Sequence, residues 1–480
     1  MTAAHRGTLT ASIGGCPRGR LDGGIVARHL FVCGLVALFA VATNVTTPGT
    51  ALANPVNNIA SISGGGEYSC ALTTGGEIKC WGDNSYGQLG NGTMNASAIA
   101  SDVQNLQIGM VAVSAGTNHT CGVTTAGGIK CWGLNSQGQL GDGTTTNRTT
   151  PVDVIGLTSG VSAVSAGGAH TCALTTAGGV KCWGYDLYGQ VGNGANTTTG
   201  CLCIPNPVDV TGLSSGAVSV SAGGYHTCAV TSAGGTKCWG ANWIGQLGSS
   251  TTQLCGSRPC SPSPADVTGL MSGAMSVAAG YEFSCALTTG GAGKCWGRNT
   301  EGELGNGMHT TGGTASPVDV SGLSNATFIT AGGYHACALI LPQRLQCWGD
   351  NGAFKLGDGT QGDPSCYCRT VPTDVVGMAS GSRSPSAGYR HSCALSGGRA
   401  KCWGFNGFAQ LGNGTTANAA TPTDVVFPKT VGGITSLTGA ALSPERTASR
   451  RSAAFPYAIA AVGVSAAGVV YLARRRLRAR

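Results

Sequence analysis

The chain has 480 residues and a net charge of +8; glycine supplies 81 of the residues, and only 10% are charged. Abundant glycine beside Val, Thr and Trp favours short strands and many turns over helices. The positive charge lies in the two ends, because residues 54–444 hold sixteen Lys and Arg against eighteen Asp and Glu. This body lacks the clustered cations that phosphate binding requires, which argues against a nucleic-acid partner.

The first predicted element is a secretory signal peptide covering residues 1–53. Residues 31–42 form an apolar run, FVCGLVALFAVA, which follows three arginines between positions 18 and 28. The Ala-Leu-Ala triplet that ends at residue 53 has the small residues of a cleavage site, so cleavage before Asn54 is expected. The mature protein would then reach an oxidising compartment, where cysteines pair.

A motif built on Cys-Trp-Gly then repeats seven times, at intervals of 51 to 57 residues. Each copy is preceded by a Ser/Ala-Gly-rich segment, a second cysteine and Ala-Leu-Thr-Thr or a variant, and most are followed by Gly-Gln-Leu-Gly or a variant. Units end with Pro-x-Asp-Val, as at Asp153, Asp209, Asp319 and Asp374. Repetition at such a period indicates an architecture of similar units packed side by side.

Four short strands are predicted in each unit: Pro-x-Asp-Val, Val-Ser-Val-Ser-Ala-Gly, His-Thr-Cys-Ala-Leu-Thr-Thr and Lys-Cys-Trp-Gly. They are rich in Val and Thr and bounded by Gly, Pro or Asn. Seven such units predict an all-β fold, a seven-bladed β-propeller with four-stranded blades over residues 54–427. Copy one starts near Ile59 without a clear Pro-x-Asp-Val strand, whereas residues 421–426 follow the last copy. We therefore expect this spare strand to complete the first blade and close the ring.

The two cysteines of each unit are expected to form a disulfide across a hairpin. Between Cys121 and Cys131 the midpoint predicts a three-residue loop that ends at Gly127, where the loop needs a positive φ. Directly opposed cysteines on adjacent strands are within disulfide range, whereas a zinc site needs four ligands and one blade offers two. The seven predicted pairs are Cys70–Cys80, Cys121–Cys131, Cys172–Cys182, Cys228–Cys238, Cys285–Cys295, Cys337–Cys347 and Cys393–Cys402.

Six further cysteines lie in insertions that follow the Lys-Cys-Trp-Gly strands. We expect them to staple their loops locally, with pairing between blades and metal binding as the alternatives. These cysteines are Cys201, Cys203, Cys255, Cys260, Cys366 and Cys368.

The C-terminal part of the chain predicts a membrane anchor. Residues 428–454, rich in Ser, Thr, Ala and Gly, would form a flexible stalk. Residues 455–473 then run for nineteen positions without a charge, which at ~1.5 Å per residue is just enough to cross a hydrocarbon core of ~30 Å. The basic tail at 474–480 favours a cytoplasmic C-terminus. One transmembrane helix would hold the propeller outside the cell; the alternative is a buried apolar helix.

The repeat resembles the RCC1 repeat, named for the regulator of chromosome condensation. The match rests on A-G-x-x-H-T-x-A-L-T, W-G-x-N-x-x-G-Q-L-G and P-x-x-V-x-G-L, over about residues 58–427. The resemblance implies a seven-bladed propeller. The family is functionally broad: its founder is a chromatin-bound exchange factor for the small GTPase Ran, and a secreted bacterial β-lactamase inhibitor looks similar. Because the export signals and paired cysteines depart from the nuclear pattern, exchange on Ran is not expected.

Histidine occupies one position of the repeat in five copies, two residues before the first cysteine. These residues are His119, His170, His226, His335 and His391, and the other two copies have Tyr68 and Phe283. A position that accepts His, Tyr and Phe needs a flat ring and not a proton carrier. With no Ser, Cys or carboxylate constellation in view, we expect no catalytic residue, cofactor or metal site.

A binding face is predicted at one end of the blades. With four alternating strands, the connections after Lys-Cys-Trp-Gly, taken to lead from blade to blade, share this face with the A-G-x-x-H loops, opposite the disulfide hairpins. Aromatic side chains in variable loops typically anchor protein partners, although packing within the connections is the alternative. The candidates are Tyr86, Tyr185, Tyr188, Trp243, Phe354, Phe405 and Phe408.

These features together predict an extracytoplasmic, membrane-anchored propeller at the cell surface that recognises a protein and is not an enzyme. One alternative is a regulator or inhibitor that fills a partner enzyme's cleft. Others are glycan binding and a hydrolase or lyase, which would need carboxylates or a metal near the central channel.

Overall fold

The computed structural model describes residues 58–195, 202–251 and 253–428, together with the backbone of two short strands, Thr430–Val431 and Ile434–Thr435. Contacts between Cα atoms divide the chain into Met1–Leu52 and Ala53–Arg480, and the described residues belong to the second unit. The predicted signal peptide, transmembrane segment and basic tail lie outside them, as does most of the predicted stalk. Where the chain is described, no helix combines the length and the apolar composition needed to span a membrane.

Seven antiparallel sheets of four strands, each made from consecutive strands, form the blades of a β-propeller. Blade 1 has β1 (Ile59–Gly64), β2 (Tyr68–Thr73), β3 (Ile78–Gly82) and β4 (Ser97–Asp102). Blade 2 has β5 (Met110–Ala115), β6 (His119–Thr124), β7 (Ile129–Gly133) and β8 (Arg148–Asp153). Blade 3 has β9 (Val161–Ala166), β10 (His170–Thr175), β11 (Val180–Tyr185) and β12 (Cys203–Asp209). Blade 4 has β13 (Ala217–Ala222), β14 (His226–Thr231), β15 (Thr236–Ala241) and β17 (Arg258–Asp266), extended by β16 (Leu254–Cys255).

The other three blades follow the same plan. Blade 5 has β18 (Ala274–Ala279), β19 (Phe283–Thr288), β20 (Gly293–Arg298) and β21 (Gly313–Asp319). Blade 6 has β22 (Ala326–Ala331), β23 (His335–Ile340), β24 (Arg344–Asp350) and β25 (Cys368–Asp374), with a 3₁₀ turn at Gly352–Phe354. Blade 7 has β26 (Ser382–Ala387), β27 (His391–Ser396), β28 (Arg399–Gly404) and β29 (Ala419–Asp424); the two-residue strands β30 (Thr430–Val431) and β31 (Ile434–Thr435) pair after it.

The hydrophobic core lies between neighbouring blades. In blade 2, Trp132 is fully buried against Leu89 and Val103 of blade 1, and its Nε1 donates to the backbone carbonyl of Gln88 at 2.9 Å. A Cβ at Gly90 would lie 2.6 Å from that nitrogen, so the glycine lets the loop approach the indole. The same bond forms at six of the seven repeat tryptophans and is missing only at Trp403 among the described residues, which explains why Trp and Gly-Gln-Leu-Gly or a variant recur together.

The expected strand exchange between the chain ends is wrong. In the structure β4 pairs with β3 inside blade 1, with Lys79 opposite Asp102, and β29 pairs with β28 inside blade 7, with Lys401 opposite Asp424. Residues 97–102 lack the proline of the other fourth strands but keep their ladder and the Lys–Asp pair, so blade 1 needs no strand from the C-terminal end. Pro-x-Asp-Val is therefore the last and outermost strand of each unit, not the first.

A closed circle of backbone hydrogen bonds joins all seven blades around the axis. In each blade, the residue after the glycine of the A-G-x-x-H loop donates its N–H to the loop carbonyl of the next blade at 2.9–3.1 Å. The seven bonds are Gly66 to Gly116, Thr117 to Gly167, Gly168 to Gly223, Gly224 to Gly280, Tyr281 to Gly332, Gly333 to Gly388 and Tyr389 to Gly65. Blade 7 thus contacts blade 1 as every other blade contacts the next.

Seven hairpin disulfides lie inside the blades. Cys121 and Cys131 are directly opposed on β6 and β7, and the seven pairs have Cα–Cα distances of 4.0–4.1 Å. The hairpin loops agree with the sequence: Gly127 has a φ of 76°. In blade 6, whose loop lacks glycine, Gln343 takes a φ of 85°.

Candidate binding face

Two sets of loops meet at one end of the blades because the four strands of each blade alternate in direction. The A-G-x-x-H loops join the first strand to the second, and the longer connections join the third strand to the fourth. These connections therefore stay within a blade. The expectation that they lead from one blade to the next is wrong. At the other end, the hairpin tips of blades 2 to 6 bond to the turn that joins their blade to the preceding one, as in the bond from the Thr125 N–H to the Gly109 carbonyl at 2.8 Å.

An open cavity of about 80 Å³ lies on the axis at this end. Small residues of all seven blades form its wall, including Ala115, Ala222 and Ala331, and Tyr281 and Tyr389 also line it. Backbone N–H and carbonyl groups of the loops bond to one another in the circle of hydrogen bonds. The wall of the cavity therefore combines methyl groups and tyrosine rings with exposed polar groups in nearly equal measure.

Seven aromatic rings in mutual contact run from blade 3 to blade 7 across this end of the axis; we call this set the tyrosine stripe. Neighbouring ring centroids are 5.0–6.2 Å apart, mostly in edge-to-face geometry, which is the favourable arrangement for aromatic pairs. The members are Tyr185, Tyr188, Trp243, Tyr225, Tyr281, Tyr334 and Tyr389. Tyr281 touches three of the others and forms the centre of the stripe.

Hydroxyl groups pair where the stripe crosses the axis. The Tyr225 and Tyr281 hydroxyl oxygens are 2.9 Å apart, and those of Tyr334 and Tyr389 are 3.2 Å apart. Burial raises the pKa of the Tyr281 and Tyr334 hydroxyls, so both stay neutral at physiological pH and can donate or accept hydrogen bonds.

Glycine in the neighbouring loop makes room for the central ring. A Cβ at Gly224 would lie 2.6 Å from Cδ2 of Tyr281. The sequence Gly-Gly-Tyr in one blade is thus matched to the tyrosine of the next blade.

Charged side chains flank the stripe on blade 5. Glu282 accepts a hydrogen bond from Trp243 Nε1 at 3.0 Å and lies 3.3 Å from the Arg298 guanidinium. Arg298 also lies 4.8 Å from the ring centroid of Tyr334 and pairs with Glu301 and Glu303. Glu303 stands where most repeats have Gln and is fully buried; its burial, with the nearby Glu301, raises its pKa.

A second charged group lies between blades 7 and 1. Arg390 stacks 4.0 Å from the ring centroid of Phe405 and is 3.9 Å from Glu67. Glu67 also accepts a hydrogen bond from the Gln410 amide. Burial raises the pKa of Glu67 to about 7, so this carboxyl titrates near neutral pH.

The aromatic candidates from the sequence separate into two groups. Tyr185 is buried, and Tyr188 and Trp243 are half-buried within the stripe. Phe405 and Phe408 contact each other on blade 7. Tyr86 (39% exposed) and Phe354 make no ring contact with the stripe among the described side chains.

The sequence reasoning missed four tyrosines at the axis, Tyr225, Tyr281, Tyr334 and Tyr389. A signal was present, because four consecutive units carry tyrosine in the A-G-x-x-H loop, where the first three have smaller residues or Glu. The variable connections drew attention away from these short loops.

The five repeat histidines lie between blades and not at the binding face. Each is fully buried, and each Nε2 is 2.7–2.9 Å from a Ser or Thr hydroxyl of the next blade, as in His119 with Thr171. Burial lowers the pKa of His119 to about 3, so the ring is neutral. The environment is that of an interface residue.

The insertion cysteines form local bonds where the structure describes them. Cys255 pairs with Cys260 and Cys366 with Cys368; Cys203 is also in a disulfide, and Cys201 lies outside the described residues. The Cys255–Cys260 hairpin places Arg258 5.2 Å from the ring centroid of Trp243, so it extends the stripe. Within the described ranges, no group of three or more His, Cys, Asp or Glu is arranged to hold a metal ion.

Comparison with known proteins identifies relatives of this fold. The family model described as RCC1-like domain matches residues 29–384. The ultraviolet-B receptor UVR8 of Arabidopsis thaliana is 33% identical over 253 residues, which cover 52% of this chain and 55% of that protein. The E3 ubiquitin-protein ligase HERC2 of Homo sapiens is 29% identical over 331 residues, which cover 67% of this chain and 6% of that protein. The chain thus spans about half of one relative and a small part of the other.

Among solved structures, Prp20p of Saccharomyces cerevisiae matches with a TM-score of 0.64 and 21% identity. The match covers 74% of this chain and 87% of that one. At this identity the likeness concerns the fold.

Proposed function

This chain belongs to the RCC1-like domain family, and from that membership we propose that it is a protein-recognition propeller, exported and held at a membrane by residues 455–473. Its role is to present a rigid face to a partner and not to catalyse a reaction. The circle of backbone bonds and the seven disulfides keep that face in one conformation.

The tyrosine stripe is the observation that carries the proposal. Half-buried Tyr, Trp and Arg side chains are the residue types that dominate binding energy at protein interfaces. Here Tyr188, Trp243 and Tyr281 are half-exposed at the loop end of the blades, and Arg258 and Arg390 add cations over aromatic rings. A partner that covers the stripe would bury these rings at little entropic cost, because they already hold one another in place.

Protein binding is also the property for which a structural neighbour is described. The Prp20p structure is titled by its binding to Gsp1p and histones. The fold therefore supports protein recognition as a class, while the activities of UVR8 and HERC2 belong to proteins of which this chain spans only a part.

Export is supported by the cysteines. Intracellular thiols are kept reduced, whereas disulfides persist in exported proteins. Seven buried hairpin bonds and the insertion disulfides fit the second environment, as do the apolar runs at 31–42 and 455–473. We expect an N-terminus at Asn54 and a protease-accessible propeller on intact cells.

A glycan partner is less favoured by the ring geometry. Sugar binding uses exposed, flat aromatic faces, whereas the stripe packs its rings edge-to-face against one another. A regulator that covers a partner enzyme's cleft would be one form of protein recognition and would use the same rings.

The test is capture of a partner by the full chain from surface-labelled cells, compared with a Tyr188→Ala/Trp243→Ala double variant. We expect the variant to lose at least tenfold in captured partner. Phe328→Ala is the matched control, because Phe328 is an exposed ring (45%) on the first strand of blade 6, away from the stripe. Equal capture by the double variant, or loss of capture by the control alone, would contradict the proposal.

A further inference from the structure

We infer that the propeller lies on the lipid bilayer with its hairpin end, which is the end of the blades that carries the disulfide hairpin loops and the turns between blades. This inference rests on the membrane anchor at residues 455–473 proposed above. It names the surface of the propeller that contacts lipid and the direction in which the tyrosine stripe faces.

The hairpin end is almost free of charge. Its hairpin loops and the turns between blades are all described, and Glu77 is the one charged side chain among them. The connections at the stripe end carry several charges, such as Asp83, Asp142 and Glu301. A charged group must give up its hydration to enter a bilayer interface, whereas Gly, Ser, Thr and apolar residues enter at far lower cost. The loops are 74–77, 125–128, 176–179, 232–235, 289–292, 341–343 and 397–398, and the turns are 103–109, 154–160, 210–216, 267–273, 320–325 and 375–381.

The charges nearest to this end do not oppose contact with lipid headgroups. Each aspartate at the end of a fourth strand is paired with a lysine or an arginine, as in Asp153 with Lys130 at 2.6 Å. Arg383 and Arg399 are exposed at strand ends of blade 7. Phosphate headgroups would therefore meet paired charges and cations at this end.

The three most exposed large apolar side chains of the described residues all lie at the hairpin end. They are Ile108 (79% exposed) and Met271 (64%) in turns between blades, and Leu341 (61%) in the hairpin loop of blade 6. Ile108 lies between blades 1 and 2 and Met271 between blades 4 and 5, so the three residues are distributed around the axis. A flat surface across this end of the propeller can therefore contact all three. Further exposed apolar residues near the starts of first strands are Val111, Val218 and Met275.

Only side chains are expected to enter the lipid. Irregular backbone is not tolerated in contact with the hydrocarbon region, because its polar groups would lose their hydrogen bonds. The loops and turns therefore stay at the level of the headgroups. Ile108, Met271 and Leu341 reach the boundary between headgroups and acyl chains, as apolar side chains of surface-bound proteins do.

The tether makes a weak affinity for the bilayer sufficient. The last blade strand, β29, ends at the hairpin end, where the Val425 N–H donates to the Ala400 carbonyl at 3.0 Å. A flexible chain as long as residues 436–454, which follow β31, spans on average about 25 Å. It would hold the propeller near the bilayer at an effective concentration in the millimolar range. The tyrosine stripe, at the opposite end of the blades, then faces away from the membrane and toward a partner in the medium.

The experiment uses the full chain reconstituted into phosphatidylcholine vesicles that contain a lipid with a photoreactive diazirine near the headgroup end of its acyl chain. After irradiation, mass spectrometry maps the residues that carry the label. We expect label in residues 455–473 and at Ile108, Met271 and Leu341. Met94 is the matched control, because it is similarly exposed (54%) but lies in the connection of blade 1 at the stripe end. It should carry about tenfold less label than Met271, since a tethered surface stays in contact for most of the time.

Two variants test whether these side chains hold the propeller on the bilayer. Met271→Glu combined with Leu341→Glu should lower the label at Ile108 several-fold, because two carboxylates would have to enter the interface. Met94→Glu should leave the label at Ile108 unchanged. All three substituted positions are exposed, so the fold should tolerate the changes, and Met271→Glu alone serves if the double variant does not fold. Undiminished label at Ile108 in the folded variants would contradict the inference.

The outcomes separate this inference from the proposed function. Label confined to residues 455–473 would leave the membrane anchor standing and overturn the contact of the hairpin end with lipid, as would equal label at Met94 and Met271. Label at Met271 without label in residues 455–473 would reject the anchor and support the lipid contact. A second copy of the chain seated on the hairpin end would exclude the lipid label from Met271, and this result would also overturn the inference.

Discussion

The backbone N–H of Tyr389 donates to the carbonyl oxygen of Gly65 at 3.0 Å, and this bond closes the circle between the last blade and the first. The two residues are more than three hundred positions apart, yet their loops repeat the contact that every other pair of blades makes. Closure therefore depends on a close approach of backbones at the axis and not on an exchanged strand.

We predict that Gly65→Ala destabilises the propeller by about 1–3 kcal/mol, the usual range for overpacking a tight site. A Cβ at Gly65 would lie 2.4 Å from Cε1 of Tyr68 and 2.7 Å from the Gly116 carbonyl. Gly312→Ala is the matched control, because no atom lies within 4 Å of its added Cβ. Denaturant unfolding measures both, and equal stabilities would show that the axis tolerates side chains.

Removal of one hairpin disulfide, Cys121→Ala with Cys131→Ala, should lower the free energy of unfolding by about 2–3 kcal/mol, as expected for short loops. The two sulfurs are fully buried, so the bond resists reductants in the folded state. Mass spectrometry of alkylated native protein tests the premise. Labelled thiols at these two positions in untreated protein would show that the bond does not form.

Acid should destabilise the fold through the buried histidines. Burial lowers the pKa of His119, His170, His226 and His391 from 6.5 to about 3, so the unfolded chain takes up protons that the folded chain refuses. Their contribution to stability is complete above pH 6.5 and falls as the pH drops from 6.5 toward 3.

His119→Phe tests this dependence, because Phe283 occupies the same position in blade 5. Between pH 6.5 and 4 the variant should lose less stability than the parent. The difference corresponds to one proton taken up on unfolding. Parallel curves of stability against pH for the two proteins would mean that His119 takes up a proton in the folded state as readily as in the unfolded state.

Glu67 should act in the opposite direction. Burial raises its pKa to about 7, so the folded state keeps a proton that the unfolded state releases above the usual glutamate pKa of 4.5. The carboxyl then costs stability progressively as the pH rises from 4.5 to 7. Glu67→Gln should flatten the stability curve between pH 4.5 and 7. An unchanged curve would show that Glu67 is not the group that titrates in this range.

Much of the blade was predictable from local patterns. The distance from Cys121 to Cys131 defines the hairpin loop, and the loop length defines which cysteines face each other, so register follows from the sequence. The fourth strand of blade 1 was missed because Ser97–Asp102 lacks proline, although its Asp102 keeps the pairing with Lys79.

The centre of the binding face was not predictable in the same way. Tyr225, Tyr281 and Tyr389 lie on three different blades, and their rings meet only because the closed ring brings the A-G-x-x-H loops to one axis. No pattern within a single repeat predicts that these three rings come into contact. The peripheral candidates Tyr188 and Trp243 were found because they lie in one kind of loop.

The ten-residue separation of the hairpin cysteines has a consequence for assembly. The twenty cysteines between Cys70 and Cys402 allow a very large number of wrong pairings. A thiol nevertheless meets a partner nine or ten residues away far more often than one in another repeat, because chain-closure entropy grows with separation. If the chain is exported as proposed, each bridge can form as soon as its own segment emerges, before the neighbouring repeats arrive. The spacing therefore favours formation of the disulfides in chain order, without later rearrangement of wrongly paired cysteines.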